Sequence, residues 1–235
     1  MTGTIVRNFW LGSLMAAAAF TPVSAQTETL DEGTFRILVS GAEVGMETFS
    51  IKRSGAGPDA VVMARGRVVL DASRGGQQIQ ANVQLAGPSL RPAAYEVEVR
   101  GGDAQGIRAT VRGSRVSARI TSSAGENMRE YLVSDGAVLV DEGVAHQYYF
   151  LARRASGSTT NIPIVMPRQS KQVTASVTAR GEESIQVGGG SVRARHLVVQ
   201  PAGSAAVDVW ADAEGRILKV EIPSRNYVAI RTALP

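Results

Sequence analysis

The 235-residue chain contains no cysteine. That absence removes disulfides, cysteine nucleophiles and thiolate metal sites together. Histidine is almost as scarce, with only His146 and His196. A zinc site would have to be completed by carboxylates, so neither a metal nor a cofactor is expected. The sequence has no Gly-x-Ser-x-Gly elbow, no phosphate-binding loop and no His-Glu-x-x-His motif. Gly188-Gly189-Gly190 leads into a strand pattern, not a helix, and reads as a turn. Lysine is rare too: only Lys52, Lys171 and Lys219 among 25 basic residues. The net charge of +4 is a small excess and says little about an anionic partner.

Long apolar runs are limited to one, Phe9 to Phe20, close to the N-terminus. It is shorter than the roughly 20 residues a spanning helix needs. Arg7 precedes it, and Thr21-Pro22-Val23-Ser24-Ala25 follows with small residues at Val23 and Ala25. A basic start, a short apolar middle and a small-residue exit predict a signal peptide over 1–25, cleaved after Ala25. The expectation is a periplasmic or secreted protein of residues 26–235. It would form a single β-rich domain with no transmembrane segment once the signal is removed.

Period-two alternation dominates what remains. Ile79, Ala81, Val83 and Leu85 share one face, while Gln78, Gln80, Asn82 and Gln84 share the other. Such alternation marks strands with one buried and one wet face. The phase slips between Met46 and Phe49, which predicts a β-bulge. Gly113-Ser114 fits a two-residue hairpin turn, and Asp135-Gly136 predicts another between 130–134 and 137–141. Only from Gly143 to Arg154 does the spacing become helical, predicting a short amphipathic helix that ends at Arg153 and Arg154. Ile162 to Pro167 is apolar and bracketed by prolines, so it is expected outside the sheet centre. About 13 to 15 strands cannot stay flat. The predicted fold is therefore all-β and mostly antiparallel, a strongly curved large sheet wrapped around the one helix as a half-barrel or incomplete barrel. A closed barrel or a two-sheet sandwich is the alternative.

Several residues could carry chemistry. His146 follows Asp141 by five positions, the start of a general-base arrangement for a hydrolase. The plainer reading is a helix histidine satisfied by a neighbour, and no catalytic residue is assigned. Trp210 lies between Asp208 and Asp212, where it could contact a sugar or a cation. The Gly113-Ser114 turn sets Arg112 against Arg115 and Arg108 against Arg119. Like charges so placed repel, and Glu98 is expected opposite Arg108 as partial compensation. The stripe could meet an anionic partner, but no aromatic side chain is interleaved with it, which argues against nucleic acid.

Two stretches carry a resemblance. Gly33-Thr34-Phe35-Arg36-Ile37, continuing through Gly41, Gly45 and Phe49, resembles the opening hairpin of uncharacterised exported β-proteins of bacteria. Val209-Trp210-Ala211-Asp212-Ala213-Glu214-Gly215-Arg216-Ile217-Leu218-Lys219-Val220 looks like the closing hairpin of the same group. The resemblance implies an architecture similar to lipoprotein-carrier half-barrels, with a curved sheet around a helix and an apolar cavity. It implies no catalytic residue.

These readings converge on a non-enzymatic module binding an apolar small molecule or lipid. Tyr148, Leu151, Ile162, Ile164, Met166, His196 and Trp210 would line its site, with 161–167 as rim or lid. The alternative is a structural protein that meets a cell-envelope component through Arg108, Arg112, Arg115 and Arg119.

Overall fold

The computed structural model describes residues 27–72, 75–133 and 136–235. The expected signal peptide and Asp135 of the expected second hairpin turn lie outside them. Alternation along the first half of the chain produces eight strands: β1 (Thr27–Val39), β2 (Ala42–Ser54), β3 (Val61–Leu70), β4 (Gln78–Ala86), β5 (Arg91–Arg100), β6 (Gln105–Arg112), β7 (Arg115–Ser122) and β8 (Gly125–Leu132). Then come the two-residue β9 (Val138–Leu139) and a tight turn, Ala145–Gln147, running into the helix α1 (Tyr148–Arg154). Six more strands follow: β10 (Thr159–Met166), β11 (Lys171–Val187), β12 (Gly190–Pro201), β13 (Val207–Ala211), β14 (Ile217–Ile222) and β15 (Tyr227–Arg231).

All fifteen described strands belong to one sheet, in the order β8-β7-β6-β5-β4-β3-β2-β1-β15-β14-β13-β12-β11-β10-β9. Every neighbouring pair is antiparallel except β9 with β10. The two edges, β8 and β9, are consecutive in sequence, so the short link between them draws the edges toward each other. Gln172 of β11 donates to the Leu132 carbonyl at the end of β8, but no ladder joins β8 to β9. The result is a curled sheet that is not closed into a barrel. The expected 130–134/137–141 hairpin does not form, because β9 pairs with Ile164 and Val165 of β10 at the far edge.

One face of the sheet is largely apolar from β1 through β7. Phe35, Ile51, Ala64, Val83, Tyr95, Ile107 and Ala118 are all buried on it. The phase slip in β2 is a bulge at Val44, where the register jumps from Ile37↔Gly45 to Leu38↔Glu43. A Cβ at Gly45 would overlap the Val69 carbonyl oxygen and come within 2.9 Å of Leu70 Cα, so only glycine fits there. The strands expected separately at 172–180 and 183–187 are a single strand, β11, bulged between Ala179 and Gly181.

The helical segment is not amphipathic as expected. Every residue from Ala145 to Ala152 is buried, because the curled sheet surrounds the segment; a helix covered on all sides has no wet face to keep polar. Arg153 and Arg154 leave the core and donate to the carbonyls of Glu214, Ser89 and Leu90. The 161–167 segment is no lid either. Most of it is β10, paired to β11 from Thr159↔Thr178 to Met166↔Lys171. Pro163 is tolerated there because only two residues of β9 cover the outer side of β10. No described helix is long and apolar enough to cross a membrane.

Candidate functional site: an interior chamber and its charged mouth

The helix must first be held inside the sheet, and polar groups do this. Its first N–H groups have no partner within the helix. Glu47 of β2 supplies one, because the bulge at Val44 turns this residue onto the apolar face beside Phe49 and Ile51. Its carboxylate accepts from the backbone N–H of Ala145 at 2.7 Å and of His146 at 3.1 Å, and pairs with His146 Nδ1 at 2.6 Å. The imidazole stacks on Phe49, with centroids 5.7 Å apart, and lies against Gly66. His146 therefore meets Glu47 and not Asp141.

Asp141 has a different partner set. Tyr95 Oη donates to it at 2.5 Å and the Arg168 backbone N–H at 3.2 Å. Burial pushes its carboxyl above the usual range; the Tyr95 bond and the Arg168 charge pull it back. Gln147 completes this network, accepting from the Asp141 N–H at 2.5 Å and donating to Tyr95 Oη at 3.3 Å. Asp141, His146 and Glu47 are all 0% exposed. These groups bond one another in the core, His146 Nε2 alone among their ring and carboxylate atoms lacking a partner among the described residues, and the expected Asp141–His146 pairing is absent.

A third buried pair lies beside them. Arg231 of β15 meets Asp31 at 2.5 Å and places its guanidinium over the rings of Phe35 and Phe49, 5.6 and 5.0 Å from their centroids. Arg231 also donates to the carbonyls of Ile217 and Glu32.

Beside the helix the packing opens. A chamber of about 230 Å³ lies between α1 and the wall formed by β10, β12, β13 and β14. Tyr148 and Leu151 line it from the helix, Ile164 and Met166 from β10, and Val199, Val207 and Ile222 from the other strands. Burial holds the Tyr148 phenol well above its usual pKa, so it stays a neutral hydroxyl. A larger recess of about 640 Å³ lies between the start of the helical segment and β1, β3 and β4, at the end of the curled sheet. Glu142, Gln169, Ile222 and Arg225 line both spaces. The chamber thus opens at a charged mouth. There Arg225, on the turn between β14 and β15, pairs with Glu142 from the segment before the helix. Gln169 also donates to Glu142, at 2.7 Å. Together the two spaces reach the size of ordinary small-molecule sites.

Of the seven residues expected to line an apolar site, Tyr148, Leu151, Ile164 and Met166 meet in this chamber. Ile162 is buried in the core of β10 and does not line it. His196 and Trp210 are on the outer face of the sheet, where they pair across β12 and β13. Their rings stack 4.5 Å apart, Lys219 lies 4.3 Å from the Trp210 centroid, and His196 Nε2 bonds Asp208 at 2.7 Å. The cation that Trp210 contacts is therefore supplied by the chain itself.

The arginine stripe forms with Arg108↔Arg119 and Arg112↔Arg115 in register. Its compensation differs by two residues from expectation. Glu96, not Glu98, is opposite Arg108 and bonds it at 2.9 Å. Arg115 pairs with Glu130, and Arg119 lies 3.5 Å from Glu126.

Sequence reading missed Glu47, Glu142, Arg168 and Arg225. Glu47 alone carried a signal, since it has the same parity as Phe49 and Ile51. The other three are turn charges of an ordinary kind.

The class defined by this geometry is an open, barrel-like β-sheet wrapped around a buried helix, with an interior chamber opening at one end. No family model matches the chain, and no curated protein matches it. Among solved structures it is similar to a beta-barrel-like protein of a domain of unknown function, DUF1849, from Brucella abortus. The TM-score is 0.52 at 7% identity, over 85% of this chain and 93% of that one. That likeness extends to the fold alone.

Proposed function

We propose that the chain is an exported, non-enzymatic binding protein for an apolar or lipid-like ligand, acting in the periplasm or outside the cell after removal of residues 1–25. One observation carries this reading: an apolar chamber beside the helix, lined by Tyr148, Leu151, Ile164 and Met166, opens at the end of the sheet. Apolar cavities with a few polar groups at the rim are the usual form of small-molecule sites, and barrel mouths are a common place for them. The buried Glu47–His146 and Asp141–Tyr95 pairs serve to hold the helix and so define the chamber wall. The resemblance of the chain's two end hairpins to uncharacterised exported β-proteins of bacteria is consistent with this reading.

The test is binding of the uncharged dye N-phenyl-1-naphthylamine by purified protein. Wild type should bind it with a rise in fluorescence. Ala205→Trp, at the exposed chamber rim, should abolish that rise while leaving the unfolding free energy within about 0.5 kcal/mol of wild type. Absence of binding to wild type, or undiminished binding to the filled variant, would refute the reading. Native mass spectrometry with organic extraction provides a second measurement, since a ligand-binding chain should retain a co-purified apolar molecule.

A further inference from the structure

We infer that the ligand is a single-chain amphiphile with an anionic head, and that the Glu142–Arg225 pair is a latch this head displaces. The inference rests on the chamber reading above and adds the chemistry of the head group.

The charges at the mouth are distributed unevenly. Arg168 and Arg225 line the recess, and Arg225 and Lys171 line the chamber. Against them stand Glu142 and Asp103, which also line the recess. Glu142 is already committed. It pairs with Arg225, accepts from Gln169, and its backbone carbonyl accepts from Arg168 Nη1 at 3.1 Å. Among the described residues, no carboxylate lies within ion-pair distance of Arg168 or Lys171. Two cations outside any ion pair therefore border the opening of the chamber, Arg168 feeling only the more distant charge of buried Asp141, and a third is held by a carboxylate. An apolar tail in the chamber would bring its head to this ring.

The latch is placed to respond. Glu142 lies in the segment leading to the helix, whereas Arg225 is on the turn Pro223–Arg225 between β14 and β15. Their pair crosses the mouth between two separate elements. The Arg225 side chain is 58% exposed, so the pair holds only weakly. A carboxylate or phosphate arriving on a tail anchored inside the chamber replaces the Glu142 carboxylate on Arg225 with one of the same charge. It also gains Arg168 and Lys171. A cationic head would meet three cations, and a neutral head would leave the latch shut.

The experiment is displacement of N-phenyl-1-naphthylamine by four ligands with the same alkyl chain: dodecanoate, dodecyl phosphate, dodecanol and dodecylamine. The two anions should displace dye at concentrations at least about tenfold lower than the alcohol or the amine. Their order separates a carboxylate-selective from a phosphate-selective mouth. Arg225→Gln and Arg168→Gln should each weaken the anions by about tenfold and leave the alcohol unchanged. Glu142→Gln should do the reverse, strengthening anion binding roughly threefold by releasing Arg225. Arg112→Ser on the outer face should change none of these values, and circular dichroism of each variant should match wild type. Equal displacement by all four ligands would overturn the anionic head and leave the chamber reading intact. Tightest binding by dodecylamine, or weaker anion binding in Glu142→Gln, would also overturn it. If the dye binds and no alkyl ligand displaces it, both readings fall.

Discussion

Gly66→Ala should destabilise this protein although it adds one methyl group in an ordinary strand conformation. Gly66 is in the middle of β3, opposite Phe49 on one side and Ala81 on the other, and faces the core. A Cβ there would lie 2.5 Å from His146 Nδ1 and nearer still to Cε1. The imidazole cannot simply retreat. Its Nδ1 is held by Glu47 at 2.6 Å and its face is stacked on Phe49. Replacing glycine inside a strand by alanine would otherwise gain about 0.5–1 kcal/mol. Overpacking costs roughly 1–3 kcal/mol, and loss of a buried hydrogen bond to a charged group about 1.5–3 kcal/mol. The net expectation is a loss of about 2–5 kcal/mol, read as a shift in the urea midpoint at unchanged slope. The decisive measurement is the double variant. With His146→Ala in place the methyl has room, so Gly66→Ala should become neutral or slightly stabilising, with a coupling energy above about 1 kcal/mol. A Gly66→Ala protein within about 0.5 kcal/mol of wild type, or additive effects of the two substitutions, would refute the claim that Gly66 is the seat of the His146 ring.

Asp31→Ala should cost about 3–5 kcal/mol, because it leaves Arg231 buried without its counter-charge; a loss below about 1 kcal/mol in urea denaturation would contradict the buried pair. Burial raises the carboxyls of Asp31 and Asp141 above their ordinary value of 3.8, so the folded state binds protons more readily than the unfolded state. These two groups therefore reduce stability as pH rises from 3.8 through their raised folded values. Asp141→Asn should make that slope less negative, as seen by plotting urea midpoints against pH, and an unchanged slope would count against it. Arg112→Glu should raise stability by about 0.2–1 kcal/mol by placing an opposite charge across from Arg115; a lowered midpoint would show that the facing arginines do not repel appreciably.

The wet and dry faces of Gln78–Ala86, the Gly113-Ser114 hairpin and the bulge near Met46 were all legible in the sequence. Each depends on local alternation or on two turn residues. The curl of the sheet was legible as well, since so many strands cannot lie flat. Half of the chamber could be read because Tyr148, Leu151, Ile164 and Met166 are apolar within segments already marked by helical spacing or by proline. The partner of His146 could not be read in this way. Glu47 precedes it by 99 positions, and the two meet only once the helix enters the sheet. The same holds for β9, whose strongest local signal favoured a hairpin with β8 but whose backbone completes the opposite edge beside β10. Compensation of Arg108 moved from Glu98 to Glu96 because the length of the 101–104 turn sets that register, and alternation is blind to a shift of two. Arg168, Arg225 and Glu142 look like solvated turn charges until three separate turns meet at one mouth. Side-chain parity is a property of neighbours along the chain, so the sequence determined which face each residue would take. Which faces, edges and turns meet is decided by closing long loops around a shared core, and that information exists only in the folded molecule.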